Sequence, residues 1–143
     1  MVKQLSVFLE NTKGRLADMT NVLKDAKIDL LALSIADTTN FGILRAIVSD
    51  DDKAVEKLHN AGYTVHLNEV IAAEIPDKTG GLADILNALC EGDISVEYLY
   101  SFVRTPGEHA LILFKVDNIK EAKEVFASNN IKLLNKSELV ELW

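Results

Sequence analysis

The sequence predicts an α+β chain made of two copies of one βαββαβ unit, and three observations carry that prediction. Residues 11–23 are echoed 66 positions later: Gly14, Leu16, Ala17, Asp18, Asn21 and Leu23 match Gly80, Leu82, Ala83, Asp84, Asn87 and Leu89. An internal repeat of this kind marks a duplicated structural unit. In each copy a short apolar run passes through a glycine turn straight into residues with an apolar face of period 3.6, which reads as strand, loop and helix. Finally, halves of roughly 70 residues would be marginal alone, so two such units should lean on one another. The expected domains are residues 1–67 and 68–143.

Val2 to Leu9 alternates, with Leu5, Val7 and Leu9 on one face and Gln4 and Ser6 on the other, the period-2 signature of a strand. Its counterpart is Val70 to Ile75, where Ile71, Ala73 and Ile75 keep the inward face. The helix that follows places Leu16, Met19, Leu23 and Ala26 in one copy, and Leu82, Ile85, Leu86 and Leu89 in the other, at spacings of three and four. Asp18 and Asp84 fall near the helix starts, where a solvated carboxylate suits the macrodipole. Cys90 falls on this pattern too and is expected to be a small buried thiol.

A second strand is expected over Asp29–Asp37 and Ser95–Val103, and a third over Gly42–Ser49 and His109–Val116, with turns at Asn40 and Gly42 or Pro106 and Gly107. The runs Leu30–Leu33 and Ala110–Phe114 are almost continuously apolar, so both faces of the sheet should be covered. Helices of one chain normally cover one face, which predicts a homodimer or larger assembly through the other. The second helices begin after Asp50, Asp51 and Asp52, or after Asp117 and Asn118; Gly62 and the Asn129–Asn130 pair suit their C-caps. The three aspartates lack further carboxylates at calcium-loop spacing and read as a solvated helix start. A fourth strand, Tyr63–Leu67, is expected to join the second copy through about two residues near Asn68. Lys132 to Leu134 reads as the last strand, and Ser137 to Trp143 fits either its extension or a helical turn.

The formal charge is −7, with 8 basic and 9 acidic residues over 1–67 and 7 and 13 over 68–143. This balance opposes sequence-independent nucleic-acid binding, which needs Lys and Arg to displace counterions. A single cysteine permits no intrachain disulfide. No apolar run approaches the ~18 residues of a membrane span, and the N-terminus lacks the unbroken apolar region of a signal peptide. A cytoplasmic protein without membrane contact is expected.

The order β, α, β, β, α, β is that of ferredoxin-like sandwiches, which host many functions. An RNA-recognition reading needs basic and aromatic residues on the sheet, and Tyr98, Tyr100 and Phe102 are weak support against the acidic charge. Metal chaperones need paired soft ligands in the first loop, which holds neither cysteine nor histidine. An acylphosphatase-like reading would use Arg15 to cradle phosphate, but its duplicate is Gly81. His59, His66 and His109 lie in three different elements without a nucleophile at motif spacing, so no catalytic residues, metal or cofactor are expected.

A βαββαβ unit of about 70 residues, with a first-loop Gly followed two positions later by Leu, resembles the ACT domain, and the chain resembles a tandem pair over nearly all its length. The resemblance implies two such domains side by side in one extended antiparallel sheet. It also implies a regulatory role, with a free amino acid as effector. The ligand would lie between the first loop of one domain and the start of the second strand of its neighbour. Carried over, the loop positions are Asn11, Thr12, Lys13, Gly14, Arg15 and Leu16 in one copy. In the other they are Asp77, Lys78, Thr79, Gly80, Gly81 and Leu82. The second-strand positions are Asp29 with Leu30, and Ser95 with Val96. Lys13 and Thr79 stand where many members have Pro, and Asp29 and Ser95 where Asn is common.

The chemistry of the loop agrees with that implication. Glycine lets the backbone approach closely, and the free amides of a helix start form a small anion site suited to a carboxylate. Asn11, Asp77 and Asp29 are acceptors for an ammonium. The two pockets should differ, with Asp77 and Asp29 favouring the more cationic ligand in one of them. The same glycines also suit a plain tight turn. The rival reading from another class is a structural or regulatory subunit of an amino-acid biosynthetic enzyme that has no ligand of its own.

Overall fold

The computed structural model describes residues 1–37, 40–102 and 109–142. The elements run β1 (Val2–Glu10), α1 (Arg15–Asp25), β2 (Leu30–Asp37), β3 (Phe41–Val48), α2 (Asp51–Asn60) and β4 (Thr64–Pro76). They continue with α3 (Gly81–Glu91), β5 (Val96–Ser101), β6 (His109–Val116), α4 (Ile119–Ser128), β7 (Lys132–Leu134) and α5 (Lys136–Leu142). This is the α+β, doubled βαββαβ order that the sequence predicts. The chain forms two compact units: an N-terminal unit, Lys3–Asn68, and a C-terminal unit that starts at Glu69 and includes Met1 and Val2.

In the N-terminal unit the strands run β2-β3-β1-β4, using the first part of β4, and β1 pairs antiparallel with β3 in the register Leu5↔Ala46 and Leu9↔Gly42. In the C-terminal unit the later part of β4 lies between β6 and β7, with β5 beyond β6, and Ile71↔Phe114 and Ile75↔Ala110 set the register. The alternating residues of the first strands are the core residues. Leu5, Val7 and Leu9 pack with Met19, Leu23, Ala54 and Leu58 in one unit. Ile71, Ala73 and Ile75 pack with Ile85, Leu89, Ala122 and Phe126 in the other.

Backbone conformation repeats along with the sequence. Gly14 and Gly80 have φ of 84° and 82°, Lys27 and Asp93 follow α1 and α3 at 57° and 59°, and Gly62 and Asn130 follow α2 and α4 at 92° and 58°. The last pair are left-handed helix ends, as expected from their residue types. Asp50 and Asn118 cap α2 and α4 by accepting from the backbone N–H of Lys53 and Glu121, at 3.1 and 3.0 Å. The first of the three aspartates is thus a helix cap.

Several expectations give way to the structure. No linker interrupts the chain near Asn68: β4 runs through it, and the Asn68 side chain accepts a 2.8 Å hydrogen bond from the Ser6 hydroxyl. An amide that reads locally as punctuation is satisfied by the neighbouring strand. Cys90 is exposed, because the buried stripe of α3 is Gly81, Ile85 and Leu89, and Cys90 lies one helical step, about 100°, to its side. Leu16 is 42% exposed at the first turn of α1, ahead of the buried Met19 and Leu23.

The segment after β7 is a helix. Asn135 Oδ1 accepts from Glu138 N–H at 2.9 Å while Glu138 Oε1 accepts from Asn135 N–H at 3.2 Å, a reciprocal capping box that starts α5. The second strand of the later copy ends at Ser101; Val103, Pro106, Gly107 and Trp143 lie outside the described residues. Of the apolar runs behind the dimer expectation, Leu31, Ala32, Leu111, Leu113 and Phe114 are all 3% exposed or less, while Leu33 on β2 is 40% exposed. Among the described residues no helix is long and apolar enough to cross a membrane.

Candidate functional site

Each unit builds the same loop between its first strand and first helix. In the N-terminal unit Thr12 N–H donates to the Glu10 carbonyl (2.8 Å), Arg15 N–H to the Thr12 carbonyl (3.3 Å) and Asp18 N–H to the Gly14 carbonyl (2.9 Å). In the C-terminal unit Lys78 N–H donates to the Pro76 carbonyl (2.9 Å), Gly81 N–H to the Lys78 carbonyl (3.0 Å) and Asp84 N–H to the Gly80 carbonyl (2.9 Å). These are the same three bonds, 66 residues apart. Gly14 and Gly80 are the N-caps, both left-handed and neither capped by a side chain, so first-turn amides remain for another acceptor. A side chain at either glycine would meet open space, so the positive φ is what requires glycine.

The first loop borders a cavity of about 180 Å³ lined by Leu9, Glu10, Asn11, Thr12 and Leu16 together with Ile35, Asp37 and Gly42. The last three come from the β2–β3 hairpin, where Asp37 pairs with Gly42 and Gly42 with Leu9. Asn11 N–H is held to the Asn40 carbonyl at 3.1 Å, which ties the loop to the hairpin. Strand register therefore adds Ile35 and Asp37, which reading the loop alone misses; the signal for them is the antiparallel pairing of the third strand with both the first and the second. The second loop borders an open cavity of about 370 Å³ lined by Pro76, Asp77, Lys78 and His109. His109 joins for the same reason, as the register partner of Pro76.

Other predicted residues have different places. Arg15 lies with its guanidinium carbon 4.2 Å from the centre of the Tyr63 ring, its Nε buried without a hydrogen bond, and it does not line the loop cavity. Its counterpart Gly81 is buried, and a Cβ there would collide with the Pro76 carbonyl oxygen. Lys13 and Thr79 are exposed on the loops. Leu82 packs partly buried against the C-terminal core.

Asp29 and Ser95 close strands at the far end of the first helices. Asp29 N–H donates to Ser49 Oγ (2.9 Å) and Ser49 N–H to the Asp29 carbonyl (3.0 Å). Ser95 N–H donates to Asp117 Oδ1 (3.0 Å) and Asp117 N–H to the Ser95 carbonyl (3.1 Å). Serine and aspartate have exchanged places across this clasp, and the Asp29 and Ser95 side chains stay exposed. Leu30 and Val96 pack partly buried against the two cores. Within the N-terminal unit, the 11 residues of α1, about 16 Å of helix, separate the loop from Asp29. Asp29 and Leu30 border a separate cavity with Lys24 and Lys27.

Among the described residues no group of three or more His, Cys, Asp or Glu comes together to hold a metal ion. His59 is exposed on α2, and His66 is exposed with its ring edge-on to Phe8 at 6.0 Å.

No curated protein sequence matches the chain. Among solved structures it is similar to protein BT0572 from Bacteroides thetaiotaomicron, with 39% identity over 96% of this chain and 94% of that one and a TM-score of 0.90. It shares its fold with the regulatory subunit of aspartate kinase from Thermus thermophilus, at 12% identity over 88% and 91% of the two chains and a TM-score of 0.65. The corresponding subunit from Thermus flavus gives 12% identity, 88% and 90% coverage and 0.62. The family model described as an ACT domain pair matches residues 1–143. With the repeated loop and the doubled βαββαβ order, that match over the whole length means that the chain belongs to the ACT domain pair family.

Proposed function

We propose that the chain is a non-catalytic regulatory protein that binds a free amino acid at its strand-to-helix loops and passes the effect to a partner enzyme. The observation that carries the reading is the loop built twice with the same three hydrogen bonds and a left-handed glycine cap. Its uncapped amides suit the carboxylate of the ligand, and Asn11 with Asp37, or Asp77, suits the ammonium. A cavity near 180 Å³ is smaller than the ~300–1,000 Å³ sites that take drug-sized ligands, a scale that fits an amino acid. The second loop, with Asp77, Lys78 and His109, is assigned the more polar ligand. Asp29 and Ser95 are assigned a lesser role, since their backbone groups are spent on the strand clasp.

Action in the cytoplasm and as a homodimer belongs to this reading. Support for self-association comes from Leu33, Ile35 and Phe41, which are 40%, 45% and 54% exposed on β2 and β3. A monomeric mass by light scattering at micromolar concentration would remove that part.

A thermal-shift panel of the twenty amino acids tests the main reading. Ligand at ~100 times its dissociation constant stabilises the native state by about 2.7 kcal/mol. The expected result is a shift with a few related amino acids, reduced in Gly80→Val with its far-UV circular dichroism retained. No shift with any amino acid at millimolar concentration would instead favour a purely structural subunit.

A further inference from the structure

We propose that a second small-molecule site, apart from the loops, lies in the C-terminal unit and binds a small aliphatic monocarboxylate. A cavity of about 260 Å³ is walled there by β4, β7, α4 and α5 together with Met1 and Val2 at the start of β1. Its deep walls are apolar: Val2, Val70, Ala72 and Leu134 are each 5% exposed or less. Its polar lining residues Lys123 and Asn135 are exposed, which places the polar groups at the mouth. A dry apolar cavity of ~150 Å³ already takes a benzene-sized guest, so this one has room for a branched or short linear hydrocarbon tail.

The mouth has a defined charge. Glu138 is occupied, with Oε1 accepting from Asn135 N–H at 3.2 Å and Oε2 paired with Lys132 at 3.6 Å. Asn135 Oδ1 accepts from both Ser137 Oγ and Glu138 N–H, at 2.8 and 2.9 Å, which leaves its Nδ2 as the donor to spare. Lys123 makes no ion pair among the described residues. One uncommitted ammonium and one uncommitted amide donor above an apolar floor match a single carboxylate carrying an aliphatic tail. A neutral alcohol would leave the ammonium without a counter-charge, and a dianion would find one cation only.

The site is peculiar to the second copy. Aligning the buried residues Ala54 and Leu58 of α2 with Ala122 and Phe126 of α4 sets Lys123 at the position of Val55. The helix α5 has no counterpart after the fourth strand of the first copy, which runs on as β4. The cavity therefore arises from the departures from the duplication, not from the inherited unit.

The test is a heteronuclear NMR titration of the full chain with isovalerate, with 3-methylbutanol as the uncharged analogue and valine as the zwitterion. Saturable shifts are expected at Val70, Ala72 and Leu134 with isovalerate, with affinity at least about tenfold weaker for the alcohol. Lys123→Met, an exposed substitution that leaves the core untouched, should weaken isovalerate binding by a similar factor without changing the melting temperature. Absence of saturable shifts at millimolar isovalerate, equal affinity for the alcohol, or unchanged binding by Lys123→Met would each overturn the proposal. So would shifts confined to residues 77–82, which would place the ligand at the loop.

Discussion

Replacing Gly81 by alanine sets two effects of opposite sign against each other. Gly81 is the first residue of α3, and exchange of glycine for alanine inside a helix normally favours the folded state by up to ~1 kcal/mol. Here the added Cβ falls inside van der Waals contact with the Pro76 carbonyl oxygen. That oxygen cannot swing away: it belongs to the end of β4, accepts Lys78 N–H at 2.9 Å, and its residue is in register with His109. Overpacking against fixed atoms costs about 1–3 kcal/mol, so the clash prevails and Gly81→Ala should destabilise by about 1–2 kcal/mol net. For a chain of this length that is a fall of about 3–8 °C in Tm. Gly92→Ala is the control: φ at Gly92 is −81°, and the new Cβ would meet the Val125 Cγ2 methyl at 3.1 Å, a contact that a shift of a few tenths of an ångström relieves without a change of rotamer. Its stability should stay within about 0.5 kcal/mol of the parent. Calorimetry or melting followed by far-UV circular dichroism reads both. Gly81→Ala at or above the parental Tm would refute the reasoning, as would an equal loss in the two variants.

Two further outcomes test particular contacts. Arg15→Ala should cost about 0.5–1 kcal/mol through loss of the guanidinium over the Tyr63 ring, and in a double-mutant cycle with Tyr63→Leu most of that should vanish; a coupling near zero would return Arg15 to the loop as a candidate anion ligand, and acyl phosphate turnover lost in Arg15→Ala would make it a phosphatase residue. Asn135→Ala should lower stability by about 1 kcal/mol through loss of the capping box, with faster amide exchange concentrated in α5, and exchange unchanged at Leu139 would contradict the role given to Asn135.

Residue order alone determined the duplication, the order of elements and the inward faces, because these depend on interactions between near neighbours in the chain. Leu5, Val7 and Leu9 alternate whatever lies opposite them, and Gly14 and Gly80 mark the left-handed turn because few other residues tolerate it. The helix ends at Gly62 and Asn130 were legible in the same way, whereas Asp50 and Asn118, read only as leading into a helix, proved to cap amides three residues away. Only the tertiary structure decided what depends on a distant partner. Asn68 continues a strand because Ser6 satisfies its side chain, and Ile35, Asp37 and His109 border the loop cavities because register brings them there. The Arg15 guanidinium lies over the Tyr63 ring for the same reason, a partner 48 positions away that the loop sequence does not announce. Periodicity finds the buried side of a helix, but packing sets how wide that side is, which is why Leu16 and Cys90 lie outside it.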